Sequence, residues 1–179
     1  MKNIYKLLLC LLAAISSSVV GAAYPERSIR LVVPFATGGT SEIVARSVAS
    51  MLTTSLGQSV YVDNKPGGAG NIAMEEVKRA SPDGYTLMLG HVGTLAVNPA
   101  LFGKKLPYDP NKDFAPVTLV AKVPNVIAVS ERSQYKTLGD LVADAKKNPG
   151  KINYGSAGNG SAGHLAMEYF CSEIGRAHV

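Results

Sequence analysis

Cysteine is scarce and tryptophan is absent: the 179 residues hold two Cys and no Trp. Cys10 lies inside an N-terminal apolar run, so only Cys171 remains once that run is removed, and no internal disulfide is then possible. Charge is sparse as well, at 17% of residues. The His, Cys, Asp and Glu residues nowhere take the spacing of a metal site, so no metal ligand and no cofactor is expected. No apolar run reaches the roughly 20 residues that a membrane-spanning helix needs. The phosphate-loop lysine is missing too. Gly155 to Gly160 has the loop spacing, but Ser161 stands where lysine is required. Neither Ser156 nor Ser161 has glycine on both sides at two residues' distance, which excludes a nucleophile elbow.

What is present begins with Met1-Lys-Asn-Ile-Tyr-Lys6, an apolar run from Leu7 to Ile15, and Gly21-Ala22-Ala23. This order predicts a secretory signal over residues 1–23, cut after Ala23. Cys10 does not mark a lipoprotein, because it sits inside the apolar region without a small residue before it. The signal holds two of the 18 basic residues, leaving 16 against 13 acidic ones, a net +3. That weak excess does not argue for nucleic acid, and it suits a protein that receives a small anion. Roughly 156 residues follow the signal, enough for one domain on length alone.

Along the chain, Ile29–Val33 reads as a buried strand ended by Pro34. A loop to Ser41 follows, with Thr40 or Ser41 expected to cap a helix that carries Val44, Val48, Met51, Leu52 and Leu56 and stops at Gly57. Val60–Val62 is a second strand, Asn71–Ala80 a helix and Tyr85–Leu89 a third strand. Such alternation predicts a parallel sheet with helices on its faces. Asn98–Phe102 suggests a short helix. Phe114–Lys122 and Val126–Val129 are β-rich runs split by Val123-Pro124-Asn125. Leu138–Lys147 reads as a helix capped by Thr137, and Lys151–Tyr154 as a strand. Asp63, Asp83, Asp109 and Asp113 sit in turn contexts, where capping is the expected duty.

The segment Tyr154-Gly-Ser-Ala-Gly-Asn-Gly-Ser-Ala-Gly-His164 then opens into a helix. Bare backbone at a helix start aims unpaired N–H groups and the positive end of the dipole at one spot, which favours an anion. With Thr37–Ser41 and Gly67–Asn71 it makes three glycine-rich loops ahead of helices, as in the ligand clefts of open α/β sheets. Gly158-Asn-Gly160-Ser-Ala-Gly163 matches a dinucleotide fingerprint, but no acid follows at the required distance before the chain ends. His91 and His164 are the histidines available as base or ligand. His164, near a helix start, is expected to orient a loop.

Six stretches carry a family resemblance: Tyr24-Pro-Glu-Arg-Ser-Ile-Arg-Leu-Val-Val-Pro-Phe-Ala-Thr-Gly-Gly39, Val62-Asp-Asn-Lys-Pro-Gly-Gly-Ala-Gly-Asn-Ile72, Ser81-Pro-Asp-Gly-Tyr-Thr-Leu87, Asn98-Pro-Ala-Leu101, Asp113-Phe-Ala-Pro-Val117 and Tyr154 to Leu165. In this order they resemble the Bug family, the solute receptors of tripartite tricarboxylate transporters. The resemblance implies an α/β, periplasmic binding protein type II-like receptor of two domains closing like a flytrap. Only an incomplete domain one and the start of domain two would be present. Domain one would be residues 24–122, the hinge 123–125 and the start of domain two 126–172. The implied ligand is a small carboxylate (a di- or tricarboxylate, an amino acid or an aromatic acid), held mainly by backbone amides. Carried over, the binding residues are Phe35, Ala36, Gly38, Gly39, Thr40 and Ser41 on one jaw. Ser156, Ala157, Gly158, Asn159, Gly160 and Ser161 form the other, with Gly70 and Asn71 nearby. The family implies membrane permease subunits as partners, a monomeric full-length receptor, no nucleic acid and no catalytic residue. Where family members often carry Thr-Asp, this chain has Ser41-Glu42, and the longer acid is expected to reshape the pocket. A secreted nucleotide- or phosphate-dependent α/β enzyme is the rival reading, and a sensor for a membrane signalling protein a third.

Residues 173–179, Glu-Ile-Gly-Arg-Ala-His-Val, back-translate as GAG ATC GGA AGA GCA CAC GTC, with TGA as the next codon. That string contains the start of a common short-read sequencing adapter. The tail is therefore expected to derive from adapter, with the natural chain continuing elsewhere and the fragment poorly soluble.

Overall fold

The computed structural model describes residues 23–175. The signal call therefore lies outside the described residues up to position 22, and the tail call from Arg176 onward. Three parallel strands form one sheet in the order β2-β1-β3: β1 Ile29–Val33, β2 Val60–Asn64 and β3 Thr86–Met88. Ile29 pairs with Val60 and Leu31 with Val62, while Arg30 pairs with Thr86 and Val32 with Met88. Helix α1, Thr40–Leu56, links β1 to β2, and α2, Asn71–Lys78, links β2 to β3. Beyond them lie α3 Asn98–Phe102, α4 Leu138–Lys147 and α5 Ala162–Glu173.

Four of the five β1 residues are apolar, in keeping with burial on both faces. Ile29, Leu31 and Val33 pack with Ala45 and Ala49 of α1 and Val60 of β2. Val32 points the other way and is still 0% exposed, as is Met74 of α2. Burying each such side chain contributes about 1.5–3 kcal/mol. Helix α1 ends as expected, with Gly57 left-handed at φ 67° and its N–H bonded to the Thr53 carbonyl at 3.1 Å. Its start differs from expectation. The N-cap is Gly39 and no side chain caps the helix. Glu42 folds back instead and accepts the Gly38 N–H at 2.5 Å.

From Phe114 to Tyr154 the outcome departs further. Phe114–Lys122, Val126–Val129 and Lys151–Tyr154 form no strand, and Val117 and Val126 are 84% and 82% exposed. A strand needs a neighbour for its N–H and C=O groups, and among the described residues the one sheet pairs only β1, β2 and β3. Helix propensity is local, and there the pattern holds. Thr137 and Asp140 form a reciprocal capping box at the start of α4. The Thr137 Oγ1 accepts the Asp140 N–H at 3.1 Å, and the Asp140 carboxylate accepts the Thr137 N–H at 2.8 Å. Leu141 of α4 and Met167, Phe170 and Cys171 of α5 line a shared apolar depression.

Candidate functional site

Parallel pairing sends the loops after β1, β2 and β3 to the same edge of the sheet, where α/β ligands gather. The glycine turn before α5 lies against all three loops. A Cβ placed on Gly39, after β1, would meet the Ala157 Cβ at 3.0 Å. A Cβ on Gly160 would meet the Ala69 Cβ, after β2, at 2.9 Å. A Cβ on Gly93, after β3, would overlap the Gly160 carbonyl oxygen. Gly160 also has φ +77°, so it needs glycine both for its conformation and for this approach. The turn before α5 is thus in van der Waals contact with both other glycine-rich loops named from the sequence.

The available donors are backbone groups. Among the described residues, the N–H groups of Gly39, Thr40 and Ser41 have no acceptor, and neither do those of Ala157, Asn159, Ala162 and Gly163. These amides sit at or just ahead of the starts of α1 and α5, where the dipole favours an anion. No lysine or arginine bonds to either turn among the described residues. Arg46, the one cation of α1, is taken by Glu42, whose Oε1 accepts from its Nε at 2.7 Å. The Gly38 N–H, and then Arg46, hold the Glu42 carboxyl below its ordinary range. The longer acid therefore consumes one loop amide and leaves its neighbours unpaired.

Of the remaining first-jaw residues, Phe35 is buried, while Ala36 and Gly38 are exposed. In the second jaw Ser156, Gly158 and Asn159 are exposed. Ser161 is buried and caps α5, its Oγ accepting the His164 N–H at 3.3 Å. The Gly158 N–H bonds locally to the Ser156 Oγ at 3.3 Å. His164 does orient its loop, because its Nδ1 accepts the Gly160 N–H at 3.2 Å.

Gly70 and Asn71 belong to a buried support behind the contact. Ala69 is held at φ 55°, a left-handed value costly for a residue with a Cβ. Asn98, 1% exposed, donates from Nδ2 to the Ala69 carbonyl at 2.9 Å and to Asn71 Oδ1 at 2.7 Å. The Tyr108 hydroxyl donates to the Thr94 carbonyl at 2.6 Å and lies 3.1 Å from Asn71 Oδ1. Burial pushes the Tyr108 hydroxyl up from its ordinary pKa, so it stays a donor. Sequence reasoning missed Asn98 and Tyr108 as supports. Their one signal was a polar or amphipathic residue beside apolar ones, with nothing to indicate the partner. The third loop was missed as well, though its His91 had been singled out. That loop enters a wide helical turn, Gly93–Val97, of a kind frequent at functional sites.

The sequence model for the tripartite tricarboxylate transporter family receptor matches residues 44–179. Protein BugT of Bordetella pertussis is 36% identical over 166 residues, 92% of this chain and 51% of that protein. A Rhodopseudomonas palustris protein solved with adipate superposes with TM-score 0.79 at 38% identity, covering 88% of this chain and 53% of its own. MatC of Rhodopseudomonas palustris, solved with bound malate, gives 0.77 at 33%, with 87% and 53% covered. The chain spans about half the length of the relatives it matches.

Proposed function

Because the chain belongs to the tripartite tricarboxylate transporter family of receptors, we propose that it captures a small carboxylate in the periplasm and hands it to a membrane permease. Phe35, Ala36, Gly38, Gly39, Thr40 and Ser41 form one jaw and Ser156–Ser161 the other, with Gly70 and Asn71 behind. The observation that carries this reading is the meeting of two helix starts whose amides have no acceptor among the described residues. A carboxylate placed there takes several N–H bonds, and charge-assisted bonds are the stronger kind. The adipate- and malate-bound neighbours support the ligand class. The receptor performs no covalent chemistry and acts as a monomer. It is secreted by a signal cut after Ala23. Residues 24–122 belong to its first domain, 123–125 to a hinge and 126–172 to its second.

The test is ligand stabilisation of the receptor expressed from its natural reading frame. Malate, adipate, citrate, aspartate and benzoate are screened, and a binder raises stability as RT ln(1 + [L]/Kd), about 2.7 kcal/mol at 100 Kd. At least one carboxylate should raise the melting temperature, while nucleotides leave it unchanged. The reverse pattern would favour the nucleotide-dependent enzyme.

A further inference from the structure

His91 lies in the loop after β3, beside both jaws. Its ring meets the Phe35 ring edge-on at 4.7 Å between centroids. Its Nδ1 accepts the Gly93 N–H at 2.9 Å, and Gly93 is the residue pressed against the Gly160 carbonyl. Its own carbonyl accepts from the Leu95 N–H at 2.9 Å and the Thr94 hydroxyl at 3.1 Å. The main chain and one ring nitrogen are thus fixed. An imidazole whose Nδ1 accepts a hydrogen bond is neutral and carries its proton on Nε2. Nε2–H makes no hydrogen bond among the described residues. Burial alone pushes the His91 pKa below its ordinary 6.5, in agreement with a neutral ring.

We infer that His91 is a specificity-determining residue of this cleft, donating from Nε2–H to an oxygen of the bound carboxylate. This rests on the receptor reading above and adds to it a side-chain donor beside the backbone amides. The two helix starts contribute backbone N–H groups. His91 adds a side-chain donor from the loop after β3, so it selects ligands by where a second oxygen lies. An uncharged donor also suits a site already polarised by helix ends, because it adds direction without a permanent charge.

Two substitutions separate the roles of the two ring nitrogens. In His91→Gln the amide nitrogen reaches the place of Nε2 and keeps the donor, but the acceptor for Gly93 is lost. In His91→Asn the amide oxygen reaches the place of Nδ1 and keeps that acceptor, but the donor is lost. Affinities for malate, adipate, citrate, aspartate and benzoate are measured on the receptor expressed from its natural reading frame. The ligand that the wild type binds should bind His91→Asn at least about tenfold more weakly, and His91→Gln within about threefold. Nitrogen-correlated imidazole spectra of the wild type should show the Nε2–H tautomer at pH 7.5. Any other ranking while the wild type binds, or an Nδ1–H tautomer, overturns the assignment and leaves the receptor reading intact. Failure of the wild type to bind any of these five ligands would sink both.

Discussion

Ile29–Val33 and Phe114–Val129 have similar chemistry and opposite fates. Both are rich in β-branched and apolar residues. The first lies between two parallel neighbours with a helix on either face, and Val32 and Val33 are fully buried. The second forms no strand and, Phe114 apart, is exposed. β propensity measures fit to a pleated, half-buried surface and supplies no partner of its own. A strand is a property of the sheet, whereas a capped helix such as α4 is largely a property of its own residues.

The largest effect that tests this contrast is truncation on either side of it. Ile29→Ala should destabilise by about 2–5 kcal/mol, through lost burial and the cavity left behind. Val117→Ala should stay within about 0.5 kcal/mol. Urea midpoints of the two variants decide the matter, and equal losses would mean that the second run is packed after all. A smaller effect is expected inside the site. Asn98→Ala removes a donor from the Ala69 carbonyl and from Asn71, and should cost about 1–3 kcal/mol. It should also speed amide exchange across residues 67–71 ahead of the sheet. Uniform loss of protection would place Asn98 in the general core.

The smallest effect is electrostatic. The Gly38 N–H and Arg46 lower the Glu42 pKa from its ordinary 4.5. A carboxyl depressed in the folded state contributes stability above its unfolded value, and that stability is lost as pH falls through the folded one. Wild type should therefore exceed Glu42→Gln in stability at pH 7, and the gap should close as pH falls below 4.5. A gap independent of pH would mean that Glu42 acts by packing.

Much of the sheet unit was legible because its signals are local. Pro34 and Gly57 mark ends, the β-branched residues of β1 announce a buried strand, and Thr137 announces a cap. The glycine loops were legible as candidates because bare backbone ahead of a helix has one main chemical use. Other features depend on partners far apart in the chain. Nothing near Asn98 indicates that its amide reaches Ala69, 29 residues away. Nothing near Gly93 indicates that it abuts Gly160. The N-cap was misplaced, since the helix starts after Gly39 and Glu42 reaches back to the Gly38 N–H only once the backbone has turned.

The proposed carboxylate site is built from the amides of two glycine turns distant in sequence. Titrating the isotope-labelled receptor, expressed from its natural reading frame, with malate, adipate and citrate while following each backbone N–H tests it. For the ligand that binds, the amides of Gly39, Thr40 and Ser41 and those of Ala162 and Gly163 should shift together, with one saturation curve. Shifts confined to one turn, or different curves for the two, would contradict it.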